Sequence, residues 1–257
     1  MKQKLLDEIE IYWDKRAESY SKVNQEELLS EQETLWRNEI QARIEKNYPR
    51  HIPKEIKVLD IGTGPGFFAI ILAKAGYQVT AIDYTKAMLL QAKKNAKDYS
   101  KEISFYEMDA QNLLFQENSF DVIVSRNLTW VLQDPNKAYS SWTRVLKKKG
   151  LLLNFDANWY AYLFDQEKQK EYERDRENVK RLGVEDHYLG TDIDAMEAIA
   201  RQVPLSRQKR PLWDVKILEE LQMNGIRTDL SVWERVWSKI EKLNYAATPM
   251  FLVEVVK

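Results

Sequence analysis

Three aspartates and a short glycine loop hold the most specific chemistry in the sequence. The stretch Val58-Leu59-Asp60-Ile61-Gly62-Thr63-Gly64-Pro65-Gly66-Phe67 sets alternating glycines between two apolar runs. Glycine lets the backbone turn tightly and lets a ligand approach where a Cβ would intrude. The spacing is G-x-G-x-G, not the G-x-G-x-x-G of a dinucleotide site, and no Lys-Ser or Lys-Thr follows as in a phosphate loop. Asp60, just before the loop, would repel a phosphate and suit an ammonium group. Asp83 ends the next apolar run, 21 residues after Gly62, where a carboxylate can accept both hydroxyls of a ribose. Asp109 ends a third run, near where an adenine edge would lie. A ligand with an ammonium group, a ribose and an adenine but no phosphate is S-adenosylmethionine. The competing reading makes Asp60 and Asp83 helix caps and Asp109 a turn residue.

The elements that must position these groups alternate in period. Residues 56–61, 78–83, 103–108, 120–125 and 151–156 read as β-strands, with helices over 67–75, 87–99 and 135–146 between them. Such alternation argues for a parallel sheet covered on both faces. Before it, residues 2–20 and 25–47 read as two helices joined near 21–24, the second with an apolar stripe through Leu28, Leu35, Trp36, Ile40 and Ile44. A Lys-Lys-Lys-Gly turn is expected ahead of residue 151. Regularity stops at Asp156. Residues 157–212 start aromatic, continue as a charged helix from 165 to about 182 stopped by Gly183, and hold a second short helix between Thr191 and Pro204. The α/β rhythm then resumes, with 226–236 and 249–256 as an antiparallel strand pair. The expected organisation is an N-terminal helical cap over 1–50, a core over 51–156 and 213–257, and an inserted segment over 157–212.

Composition narrows the function classes. The chain has 257 residues, with 39 Lys and Arg against 40 Asp and Glu for a net charge of −1, which removes the electrostatic case for nucleic acid. Cysteine is absent, so disulfides, thiolate metal sites and Cys nucleophiles are excluded. With only His51 and His187, no metal site is expected. The start, Met1 to Glu8, meets acidic residues early and lacks the apolar core of a signal peptide. No apolar run approaches the ~20 residues of a membrane span. A cytoplasmic protein with no membrane partner is expected; the sequence sets no oligomeric state. The eight Trp and thirteen Tyr are many for so charged a chain.

The loop at 58–70, Asp83, the Met108-Asp109-Ala110 step, the run 120–125 and the run 145–152 together resemble the class I S-adenosylmethionine-dependent methyltransferases, in the same order. Among these the sequence is most similar to the small-molecule group that includes quinone-biosynthesis methyltransferases. The likeness spans about residues 10–156 and, more loosely, 213–257. It implies a Rossmann-like α/β fold: a mostly parallel seven-stranded sheet with helices on both faces, N-terminal helices, and a helical lid inserted after strand five. It also implies S-adenosyl-L-methionine as cofactor, with Gly62 and Gly64 beneath the methionine portion and Asp60 near its ammonium. Asp83 would hold the ribose. Tyr84 and Met88 would flank the adenine, and Asp109 would accept from its amino group with Ala110 alongside. Asn127 would meet the methionine end through its backbone, and Trp13, Arg16 and Tyr20 would close over the cofactor. Trp13 and Tyr20, like Tyr84 and Met88, equally suit plain helix packing.

The acceptor is less defined. DNA and protein-glutamine methyltransferases usually carry an Asn/Asp-Pro-Pro-aromatic element after strand four; here the residues are Ser125-Arg126-Asn127-Leu128-Thr129-Trp130. Arg126 and Trp130 are therefore read as facing a small substrate, with Trp130 packing on the following helix as the rival. Trp159, Tyr160 and Tyr162 open the lid and suit a flat or zwitterionic ligand, or anchor the lid. Methyl transfer needs no fixed catalytic residue; His187 and Asp156 are the candidate bases. The expected activity is methyl transfer to an N, O or C atom of a small molecule. The alternatives are an RNA or protein methyltransferase and a non-catalytic cofactor- or metabolite-binding module.

Overall fold

Seven short runs pair into one sheet, most of them apolar: β1 (Lys57–Ile61), β2 (Gln78–Asp83), β3 (Ile103–Glu107), β4 (Phe120–Arg126), β5 (Leu146–Asp156), β6 (Asn224–Asp229) and β7 (Phe251–Val256). The computed structural model describes residues 2–257, so Met1 lies outside the described residues. The strand order is β3-β2-β1-β4-β5-β7-β6. β1 to β5 pair in parallel, and β7 runs antiparallel to both β5 and β6. After β1 the chain crosses over to β2 on one side, and it later returns to β4 on the other. The order therefore reverses at β1, which opens a crevice at the carboxyl ends of the strands.

Ten helices cover this sheet among the described residues. They are α1 (Lys2–Leu29), α2 (Glu31–Asn47), α3 (Phe67–Lys74), α4 (Lys86–Ala96), α5 (Pro135–Val145), α6 (Gln166–Leu182), α7 (Ile193–Ala200), α8 (Leu212–Glu220), α9 (Val232–Val236) and α10 (Lys239–Asn244). On one face Trp36, Ile40 and Ile44 of α2 pack with the apolar α3 and with Val232 and Val236 of α9. On the other, Tyr139 and Trp142 of α5 pack with Leu218 of α8. Both faces of β1 are thereby buried, which is why it reads as a continuous apolar run rather than an alternating one.

Two expected boundaries shift. α1 runs unbroken through 21–24, and the joint lies at Ser30, whose hydroxyl accepts the Gln32 amide of α2. Residues 21–24 contain no Gly or Pro, and their polar side chains find partners without leaving the helix. Asn95 Nδ2 of α4 donates to Ser21 Oγ at 3.0 Å, and Asn24 Nδ2 donates to Glu27 at 3.0 Å. The expected Lys-Lys-Lys-Gly turn is instead part of β5. A register shift between Phe120 and Val122 of β4 absorbs it, with Lys149 at φ 63°. In 226–236 only the first part is strand; α9 and α10 then lead into β7.

The segment 157–212 leaves the sheet after β5 and is tied down by a buried ionic knot. The side chains of Arg210, Asp156 and Asp214 are each fully buried. Arg210 donates to Asp156 Oδ2 at 2.8 Å and to the two Asp214 oxygens at 2.9 and 2.7 Å. Tyr139 of α5 donates to Asp214 at 2.6 Å, and Asn154 of β5 donates to the Tyr139 hydroxyl at 2.8 Å. Asp156 also accepts the Trp130 and Ala157 amides, the Trp159 indole and the Thr129 hydroxyl. Both oxygens of Asp156 are thus engaged by protein donors at the end of β5. Asp156 is a structural anion and not the base the sequence suggested.

Removing the one cation leaves two buried carboxylates uncompensated. Arg210→Met is expected to lower unfolding free energy by about 3–5 kcal/mol, read from urea denaturation. A loss below about 1 kcal/mol would mean the knot is hydrated and weak.

Candidate functional site

The loop after β1 is built by backbone geometry that favours glycine. Gly62 and Gly64 sit at φ 69° and 53°. A Cβ on Gly62 would stand 2.7 Å from Leu128 Cδ2, so the loops after β1 and β4 meet closely and a larger residue requires the Leu128 side chain to shift. Asp60 is buried beneath. Its Oδ2 accepts the Thr63 hydroxyl at 2.6 Å and the Ala69 amide in the first turn of α3 at 3.0 Å. Burial pushes its carboxyl up to about 7, against the opposing effect of those two bonds and of the Arg126 charge. No Lys or Arg pairs with it among the described residues. Asp83 Oδ2 accepts the Gly64 amide and Oδ1 the Thr85 amide, both at 2.9 Å, and burial raises its pKa as well. Asp109 accepts the Gln111 amide at 2.8 Å and its side chain at 3.1 Å. The capping role weighed for Asp60 is therefore real, yet all three aspartates also line one cavity of about 280 Å³.

The rest of the cavity wall comes from α1, the loop after β4, and the inserted segment. On α1, Trp13, Arg16, Tyr20 and Asn24 recur at three- and four-residue spacing and face it together. Trp13 and Tyr20 also touch each other, ring centroids 5.7 Å apart, so packing and lining are one face of one helix. Arg16 Nε is buried without a protein partner. Tyr84, Met88 and Ala110 line the cavity near Asp83 and Asp109.

After β4, Arg126 lines the cavity but is already engaged. Its two Nη atoms donate to the Glu27 carboxylate at 2.8 and 2.9 Å, and its guanidinium lies 4.6 Å from the Phe67 ring centroid. Asn127 takes φ 56°. Its backbone, expected to meet a ligand, is bound by protein: the amide donates to Phe155 and the carbonyl accepts the Trp130 indole. It is the side-chain Oδ1 that is buried without a partner, as is Gln133 Nε2.

From the inserted segment, Trp159, Tyr160 and His187 line the cavity together with Tyr245, which precedes β7. Trp130 packs on Tyr160, centroids 4.9 Å apart, and lines the cavity too. His187 Nδ1 lies 3.2 Å from the Tyr245 hydroxyl, and its backbone amide donates to Asn244 Oδ1. Burial lowers the imidazole's pKa, with Glu185 pulling the other way. Tyr162 is not on this wall. It stacks on Tyr172 at 4.1 Å and donates to Glu197, inside the segment itself. The 3-10 turn over Ala161–Leu163 separates its direction from that of Tyr160. Asn24, Gln111, Leu128, Gln133 and Tyr245 were not singled out from the sequence. Only Asn24 carried a signal, four residues after Tyr20, and the expected break at 21–24 hid it. Among the described residues no group of three acidic or His side chains is placed to hold a metal, and no helix is long and apolar enough to cross a membrane.

The family profile described as a methyltransferase domain matches residues 59–154. A Bacillus subtilis protein named as a methyltransferase, YqeM, is 32% identical over 42% of this chain and 44% of its own length. The ubiquinone biosynthesis O-methyltransferase of Coxiella burnetii is 29% identical over 42% of this chain and 47% of its own. The chain thus spans less than half the length of these curated relatives. A solved Methanococcus maripaludis structure, described as an S-adenosylmethionine-dependent methyltransferase, superposes with TM-score 0.58 over 92% of this chain and 91% of that one, at 20% identity. That likeness carries the fold along nearly the whole chain.

The tight meeting of Gly62 and Leu128 is directly testable. Gly62→Ala combines a left-handed backbone with a clash and is expected to cost about 1–3 kcal/mol of stability. Adding Leu128→Ala should relieve the clash and recover part of the midpoint shift in urea, whereas full additivity of the two losses would place the strain elsewhere.

Proposed function

We propose that this chain, which carries a class I S-adenosylmethionine-dependent methyltransferase domain, moves a methyl group to an N, O or C atom of a small molecule held under the inserted segment. The observation that carries the reading is the convergence of three strand-end carboxylates and two left-handed glycines on one cavity, with a buried Asp60 lacking a cation. A buried carboxylate without a cation is costly unless a bound positive group completes it. The ammonium of S-adenosylmethionine is such a group.

The donor set fits the remaining parts of that cofactor. Gly62 and Gly64 leave room for the methionine portion, and the unpartnered Arg16 Nε and Asn127 Oδ1 supply a donor and an acceptor there. Asp83 is assigned to the ribose hydroxyls, Tyr84 and Met88 to the adenine faces, and Asp109 with Ala110 to its edge. Trp13 and Tyr20 close the cavity from α1. When bound, the cofactor supplies an electrophilic methyl group on a sulfonium, so the protein's task is alignment and exclusion of water.

On the acceptor side His187 takes up the acceptor's proton. Burial keeps the imidazole neutral at neutral pH, the form that can accept, and Tyr245 and Asn244 orient it. Trp130, Trp159 and Tyr160 form the substrate wall, and Arg126 holds its shape through Glu27. The cavity's size and the balanced charge favour a small molecule over RNA or protein, and the site is assigned to the cytoplasm.

Calorimetry should detect binding of S-adenosylmethionine and of its demethylated product, and Asp83→Ala should weaken both by at least about tenfold, the weight of a charge-assisted hydrogen bond. Unchanged affinity removes the ribose assignment; no binding to the parent protein removes the function.

Asp60 adds a pH dependence. Because its carboxyl in the fold lies above the ordinary value, at about 7, folding takes up a proton between about pH 4 and 7. Its ionised form therefore costs stability as pH rises through that window. A bound ammonium favours the same ionised form, with Arg126 and Asp83 the other charges facing it. Cofactor affinity should then rise with pH up to about 7, by up to about tenfold per unit, with release of a proton. Asp60→Asn should flatten the profile; an unchanged slope would assign the titration to another group.

A further inference from the structure

We infer that the methyl acceptor is an amine, recognised as a cation by the aromatic wall of Trp159, Tyr160 and Tyr245. The inference rests on the methyl-transfer reading of the cavity above. These rings reach the cavity from two distant stretches, after β5 and before β7. Trp159 and Tyr245 stand edge to face, centroids 5.3 Å apart at 81°. Planes so crossed do not make the parallel slot that grips a flat aromatic acceptor. The edge of one ring meets the face of the other, and the ring surface that lines the cavity offers π density to a compact cation.

The charges at this end point the same way. Arg126 lines the same cavity, and both of its Nη atoms are held by Glu27. Arg176, whose guanidinium lies 4.3 Å from the neighbouring Tyr188 ring, is paired with Asp186. Arg16, the other guanidinium on the cavity wall, is assigned to the cofactor. Among the described residues an acceptor carrying a phosphate or carboxylate would find no free cation at the aromatic end, whereas an ammonium group finds π faces. His187, bonded to Tyr245 on this wall, completes the proton balance. The bound ammonium gives one proton to the imidazole, and the lone pair so freed forms the new bond to carbon. The carbon–sulfur bond breaks with its electron pair left on sulfur.

Recognition can be read without turnover by using choline, whose nitrogen is already quaternary, and its neutral isostere 3,3-dimethylbutan-1-ol. Both are titrated by calorimetry into the full chain loaded with S-adenosylhomocysteine. Choline is expected to bind about tenfold more tightly than the alcohol, the weight of one good cation–π contact. Tyr160→Leu should abolish that preference while leaving S-adenosylhomocysteine affinity within about twofold, and Tyr160→Phe, which keeps the ring, should retain it. Equal binding of the two probes, no heat from choline, or loss of preference in Tyr160→Phe equal to that in Tyr160→Leu would overturn the inference. Failure of S-adenosylhomocysteine itself to bind would instead strike the underlying reading of the site, so the two failures are distinguishable.

Discussion

The buried contact of Arg210 with Asp156 and Asp214 is the constraint on which the site depends. Through it the end of β5, the loop after β4, α5, α8 and the inserted segment meet at one guanidinium. Asp156 fixes Trp159 by its indole and Trp130 by its backbone amide, and both side chains go on to line the cavity. The aromatic wall is therefore held from behind by a charge network and not by apolar packing alone. Such a network resists rearrangement because any displaced member leaves a buried charge unpaired.

Asp60 and Arg126 show how differently the fold treats two buried charges near the same cavity. Arg126 is neutralised by Glu27 and laid over Phe67, Phe68 and Trp36, so it acts as part of the wall. Asp60 receives hydrogen bonds but no countercharge, and its carboxyl titrates near neutrality. The first is a finished interaction. The second is incomplete within the protein, which is the physical mark of a place where a ligand supplies the missing charge.

Much of the scaffold was legible in the chain because it rests on local rules. The glycine loop, the carboxylates at 60, 83 and 109, the alternation of strands with helices, and the stop at Gly183 all follow from backbone freedom and period. The misreadings share another cause. Residues 21–24 look like a break until Asn95 of α4 is seen to satisfy Ser21. Residues 147–150 look like a turn until the Lys257 backbone is seen to bond Lys149 and Gly150, with β4 pairing on either side of them. In each case a polar side chain or backbone group has a partner far away in sequence, which no local pattern announces.

The same division separates the two halves of the site. Residue types and spacing alone placed the glycine loop and its three carboxylates on one cavity, because turning a chain at the carboxyl end of a strand favours glycine and register places the neighbouring carboxylates. Only the tertiary structure decided the acceptor end. Asp156 was tied into a buried ion pair by Arg210, 54 residues on. Arg126 gained Glu27, 99 residues back, and Tyr162 stacked on Tyr172 inside the inserted segment. His187 gained Tyr245, 58 residues away. A side chain's role there depends on which charge or ring reaches it in three dimensions, and hydrogen bonds and ion pairs act over ångströms, whatever the separation along the chain.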